Sequence, residues 1–168
     1  MIRAVALALC LTAAPLAADP LVESYGDVLR SCYGDRGSSL AREACVGAMT
    51  EACLAGEPDG QTTVGMMQCV LAEHVVWDGY LNAEYRATMG WARAADQAEG
   101  EDLPEFARRA EALRAAQRAW IAFRDTECGL AYAVWGAGSM RQIAGADCLM
   151  EMTARRALDL TNLREMME

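Results

Sequence analysis

Gln117 and Arg124 stand where a helix would turn only apolar residues inward. In the segment QRAWIAFRDTEC, residues 117 to 128, a helical advance of about 100° per residue lays Phe106, Ala110, Leu113, Trp120 and Cys128 along one stripe. Gln117 and Arg124 fall near the middle of that stripe. A guanidinium removed from water costs several kcal/mol unless an acceptor meets it. The same spacing puts Met66, Val70, Trp77, Leu81 and Thr88 on one face, with Glu73 and Glu84 within it or at its edge, and Asp78, Asn82 and Tyr85 beside it. Near the C-terminal end, Ala146, Leu149, Thr153, Leu160 and Met167 align, and Arg156 falls among them. Three helices thus bring Arg124, Arg156, Gln117 and Thr153 toward Glu73, Asp78, Asn82 and Glu84. Arginine forks and carboxylates pair directionally, so the expectation is a buried polar network that fixes how the helices sit. A ligand site between the helices is the competing reading.

The cysteines carry the second possible chemistry. There are 7 in the chain, and Cys10 lies in MIRAVALALCLTAAPLAADP, which reads as a secretory signal peptide. Arg3 gives it a positive start, Ala4 to Leu11 an apolar run, and cleavage is expected after Ala18. That run is shorter than the roughly 20 residues that span a bilayer. Leu9 stands where a lipid-anchored Cys10 would need a small residue, so no membrane anchor is expected. An exported chain meets oxidising conditions, which makes Cys32, Cys45, Cys53, Cys69, Cys128 and Cys148 an even set for disulfides. Zinc is the alternative, but no CxxC pair exists and His74 is the sole histidine. No metal and no cofactor are expected.

Helical spacing dominates and no segment alternates convincingly. Asp19-Pro20 is a cap and first turn for a helix to about Cys32. After the break YGDRGSS, Ser39 caps a second helix ending near Leu54. AGEPDGQ is a loop, and Thr62 or Thr63 opens a long helix to about Trp91 or beyond. Further helices are expected from Leu103 to about Tyr132 and from about Gln142 to Met167, with WGAGSM between them. The result is one all-α domain over residues 19–168: a disulfide-braced helical bundle of three longer helices behind a short N-terminal helical hairpin. On one helix Cys45 and Cys53 would stand about 12 Å apart at about 1.5 Å per residue, too far to bond. Closure across each turn then gives Cys32–Cys45, Cys53–Cys69 and Cys128–Cys148.

Composition narrows the partners. The formal charge is -9 at pH 7, and loss of Arg3 with the signal makes it one unit more negative. Nucleic acid is a poor match for such a surface, whereas a basic protein would be steered toward it. No Gly-x-Ser-x-Gly, phosphate loop or paired zinc motif occurs, and His74 reads as a packing residue, so an enzyme is not expected. Trp77 and Trp120 read as core. Trp91 and Trp135 lie near helix ends, where an interface or simple rim packing would use them.

The order Cys69, Glu73, Asp78, Leu81-Asn82, Tyr85, Gln117, Trp120, Phe123-Arg124-Asp125, Cys128, Gly138-Ser139, Cys148, Thr153, Arg156, Leu160 resembles the domain family named for LprI, a lysozyme inhibitor. The resemblance spans about residues 66 to 164 and leaves out the hairpin with Cys32, Cys45 and Cys53. Gly136-Ala137-Gly138 departs from it, where a paired glycine before the serine is expected. It implies an exported helical module that binds and blocks a basic lysozyme. A noncatalytic envelope module binding another protein or ligand is the alternative. Lysozyme clefts hold two carboxylates, so WGAGSMRQ, residues 135 to 142, is the candidate loop. Trp135 would anchor it, Ser139 and Arg141 would supply a hydroxyl and a cation, and Cys128–Cys148 would brace it. As a plain helix connection the same loop needs no function.

Overall fold

The computed structural model describes residues 19–167, and the signal peptide expected over residues 1–18 lies outside the described residues. The helices are α1 (Pro20–Asp35), a single turn α2 (Ser39–Arg42) running into a 3₁₀ turn (Glu43–Cys45), α3 (Ala48–Gly56), α4 (Thr63–Gly100), α5 (Arg109–Ala133) and α6 (Met140–Glu165). There is no strand among the described residues. Local capping chemistry starts two of the longer helices. The Asp19 carboxylate accepts from Leu21 N at 2.9 Å with Pro20 in the first turn, and Thr62 Oγ1 accepts from Gly65 N at 3.0 Å.

α4 is the spine. It pairs along its length with α6, and its N-terminal half also receives α1 and α3. Trp77, Leu29, Met49 and Leu160, each at most 1% exposed, form the centre of this core. Tyr33 of α1 meets the Trp77 ring edge-on at 5.8 Å and stacks on Tyr80 at 4.1 Å. α5 is held differently. It lies more against α6 than against α4, and only Leu113, Gln117 and Cys128 of its side chains are buried. Its many alanines offer little apolar area, so each anchoring residue counts for more.

Three disulfides tie neighbouring elements: Cys32–Cys45, Cys53–Cys69 and Cys128–Cys148, with Cα–Cα distances of 5.8, 5.6 and 5.3 Å. The first joins α1 to the 3₁₀ turn, the second α3 to α4, and the third α5 to α6.

Two element boundaries differ from expectation. The segment 39–54 is not one helix, because Gly47 takes φ +90° and breaks it into the α2–3₁₀ unit and α3. A side chain would strain there. α5 begins at Arg109, not Leu103. Residues 101–106 are a run of turns, which leaves Phe106 61% exposed and off the helical stripe.

These breaks are stabilised from a distance. Gly47 N and Thr50 N of α3 donate to Glu73 of α4, each at 2.7 Å. Arg109 N and Ala110 N of α5 donate to Asp96 of α4, each at 2.9 Å. Ser39 at the start of α2 donates through N and Oγ to Glu165 of α6, at 3.2 and 3.0 Å. Three helix N-termini therefore rest on carboxylates from other helices, which satisfy their orphan N–H groups and face the positive end of each dipole. The hydrogen bonds from Ala110, Arg109 and the Arg109 guanidinium hold the Asp96 carboxyl below its ordinary value against the opposing effect of burial.

Candidate functional site

The polar residues expected to form one network are settled separately. Glu73 is fully buried, but its partners are the two amides of α3 and the Trp77 indole Nε1, which donates at 2.9 Å. Among the described residues no arginine pairs with it. Arg124 instead donates to its neighbour Asp125 through Nε and Nη2, at 3.0 and 2.8 Å, and lies 5.1 Å from the centre of the Trp120 ring. Its carboxylate partner is thus supplied by its own helix, and α5 lies more against α6 than against α4. Asn82 donates to Asp78 at 2.8 Å within α4, at the surface. Glu84, at the edge of the α4 stripe, accepts from Tyr33 Oη at 3.4 Å and from Arg164 at 3.2 Å. Thr153 is fully buried, and its Oγ1 meets no hydrogen-bond partner among the described residues. Two of the residues expected to face the acids of α4 pair with each other instead. Arg156 Nε of α6 donates to Gln117 Oε1 of α5 at 3.0 Å.

His74 packs into the bundle with its Nε2 buried and without a hydrogen bond among the described residues. Burial pushes the imidazole below its ordinary 6.5, nearby Asp78 opposes this, and Arg124 adds to it. A lowered value means that the unfolded chain binds the proton more readily than the folded one, so stability falls as pH drops below about 6.5. Urea midpoints followed from about pH 7.5 to about pH 5 should therefore decline more steeply in the parent than in His74→Gln. Parallel curves would show that folding leaves this imidazole unperturbed.

The loop between α5 and α6 is a different kind of place. Gly136 at φ +51° makes the reversal, and Gly138 N donates back to Trp135 O at 2.9 Å. Ser139 is exposed at the N-cap of α6, and its hydroxyl makes no capping bond. Arg141 does not point outward. Its Nη1 donates to Gly136 O at 3.3 Å, and its guanidinium lies 5.6 Å from the centre of the Tyr132 ring. Around the loop Leu130, Val134, Trp135 and Met140 are exposed, Val134 at 70% and Trp135 at 48%. An open groove of about 420 Å³ has walls that include Met67, Leu71, Cys128, Tyr132, Ala146 and Leu149. The Cys128–Cys148 bridge joins the two helices on either side of the loop. Among the described residues, no cluster of histidine, cysteine and acidic residues has the makings of a metal site. No described helix is long and apolar enough to cross a membrane.

The arrangement is that of a disulfide-braced, all-helical module with exposed apolar side chains on and beside the α5–α6 loop. The chain belongs to the family described as lysozyme inhibitor LprI, which matches residues 53–160. The match begins at Cys53, so the α3–α4 bridge falls inside the family's span, earlier than the expected start at about 66. An uncharacterized protein of Rhizobium meliloti is 36% identical over 115 residues, covering 67% of this chain and 83% of its own. No solved structure matches. The disulfides fit the oxidising compartments reached by export.

Proposed function

We propose that this protein is an exported, noncatalytic inhibitor that binds a basic lysozyme through the α5–α6 loop. In this reading residues 1–18 are removed on export, and residues 19–168 form a single domain in the periplasm or outside the cell. The observation that carries the assignment is the exposed rim around Trp135 on a disulfide-braced turn, inside the family's matched span. An exposed aromatic on a preformed loop loses little freedom on docking and is a common centre of binding energy. Trp135 and Ser139 are the contacting residues. Arg141, turned back onto Gly136 and Tyr132, holds the loop's shape. The net charge, -9 for the full chain and one unit more negative without Arg3, speeds encounter with a basic enzyme and makes the complex weaken with salt.

The test is residual activity of a panel of lysozymes titrated with the oxidised protein at low and moderate salt. Near-stoichiometric, salt-weakened inhibition is expected. Trp135→Ala should raise the half-inhibitory concentration at least about tenfold, because anchors of this kind contribute about 2 kcal/mol or more, while the melting temperature stays put. Undiminished inhibition by that variant would move the contact elsewhere. A lack of inhibition across all lysozyme classes would leave an envelope binding module with another partner.

A further inference from the structure

At the opposite end of the bundle, a second groove of about 550 Å³ opens between α4, α5 and α6. This is within the range of small-molecule sites, about 300–1,000 Å³. Its walls are apolar: Trp91 from α4, Leu113 from α5, and Leu160 and Leu163 from α6. Two of the α5 side chains that line it, Ala112 and Ala116, are too small to fill the cleft. Two arginines line it, and they differ sharply. Arg109 is committed, paired with Glu99 and Asp96 of α4. Arg156 has no such carboxylate. Its Nε is fixed by Gln117 and its guanidinium lies 5.8 Å from the centre of the Trp120 ring, while its terminal nitrogens meet no hydrogen-bond acceptor and no carboxylate within ion-pair distance among the described residues. Asp159, one turn along α6, is exposed and not paired with it.

A half-buried guanidinium against hydrocarbon is poorly solvated. Its fork is shaped for a planar carboxylate bound through two parallel hydrogen bonds. Gln117 holds one edge of that fork and so limits its rotation, leaving the outer nitrogens to meet a ligand. Arg109 is already paired and Asp159 is exposed, so a largely apolar trough with Arg156 as its one cation without an ion-pair partner favours a molecule with a hydrocarbon tail and a single anionic head.

We propose that the groove between α4, α5 and α6 binds an aliphatic monocarboxylate, with its carboxylate on Arg156 and its tail along Trp91, Leu113, Leu160 and Leu163. The site is separate from the α5–α6 loop and stands whether or not a lysozyme is the protein's target. Binding also ties α5 to the other two long helices at the end that lacks a disulfide.

Dodecanoate below its micellar concentration is the probe, titrated into the oxidised protein by calorimetry, with dodecanol as the uncharged comparison. One saturable site per chain is expected, with dodecanol at least about tenfold weaker, in keeping with the value of hydrogen bonds to charged groups. Arg156→Gln should lose a similar factor. Ala116→Leu, at an exposed helix position that folding tolerates, should abolish binding by filling the trough and so tests the site even if Arg156→Gln folds poorly. Equal affinity for acid and alcohol, unchanged binding by Ala116→Leu, or no saturable binding would each overturn the assignment.

Discussion

Glu73→Ala is expected to destabilise the protein by about 3–5 kcal/mol, the cost of breaking a buried charged interaction by removing one partner. The carboxylate is fully buried and accepts three hydrogen bonds, from Gly47 N, Thr50 N and Trp77 Nε1. Truncation leaves three donors without an acceptor, each worth about 1–3 kcal/mol when isolated from water, and opens a void beside Trp77. Some of that loss is recovered by water or by local shifts, which is why the sum is not taken at face value. Urea unfolding of the oxidised protein measures the loss. At roughly 2–4 °C per kcal/mol for a chain of this size, the melting temperature should drop by about 10 °C. Amide exchange should accelerate at Thr50, in the first turn of α3, before it does in α6. Glu73→Gln should fall between, since its amide keeps one acceptor oxygen but turns an NH₂ toward other donors. A stability loss for Glu73→Ala within about 0.5 kcal/mol, the range of ordinary surface substitutions, would mean that Glu73 does not hold α3 in place.

The Cys128–Cys148 bridge carries the next largest expectation. It closes a loop with a sequence separation of 20, for which chain entropy alone gives about 3 kcal/mol. The Cys128→Ala, Cys148→Ala double variant should lose about that much, and more of the damage should be local than for the other bridges. α5 buries few side chains, and Cys128 is the last of them before the α5–α6 loop. Without the bridge the end of α5 has little to keep it on α6. The expected signature is faster amide exchange from about residue 128 to 148 and weaker lysozyme inhibition than stability loss alone explains. An unchanged exchange pattern there would show that the loop is held by its own turns and by Arg141.

Much of the architecture was legible because its causes are local. Asp19, Thr62 and the Gly-Pro-Asp loop at 56–60 mark helix ends by their own chemistry, and the stripe through Val70, Trp77 and Leu81 faces the core as its period requires. The disulfide partners match closure of each cysteine onto its sequence neighbour across a turn, although the single helix expected to keep Cys45 from Cys53 is broken at Gly47. What was not legible is what Glu73 touches. A sequence shows which side chains carry charge, so an acid on an apolar stripe was assigned to the nearest arginines. The real donors are backbone amides, which every residue carries and no letter distinguishes. The start of α5 was misplaced for the same reason: its cap, Asp96, sits on α4 before the intervening turns. In the candidate site Trp135 and Ser139 are exposed, but the inward turn of Arg141 depends on the path of Gly136 and on Tyr132. The Arg156–Gln117 pair was within reach, since both residues break facing stripes.

The order of the bridges along the chain has a consequence for biogenesis. The six described cysteines pair off consecutively along the sequence, Cys32 with Cys45, Cys53 with Cys69 and Cys128 with Cys148. A polypeptide delivered N-terminus first to an oxidising catalyst would present these cysteines in pairing order. Joining each newly arrived thiol to the one waiting before it would yield the native set, so a chain oxidised in that order would have no wrong bridge for an isomerase to correct.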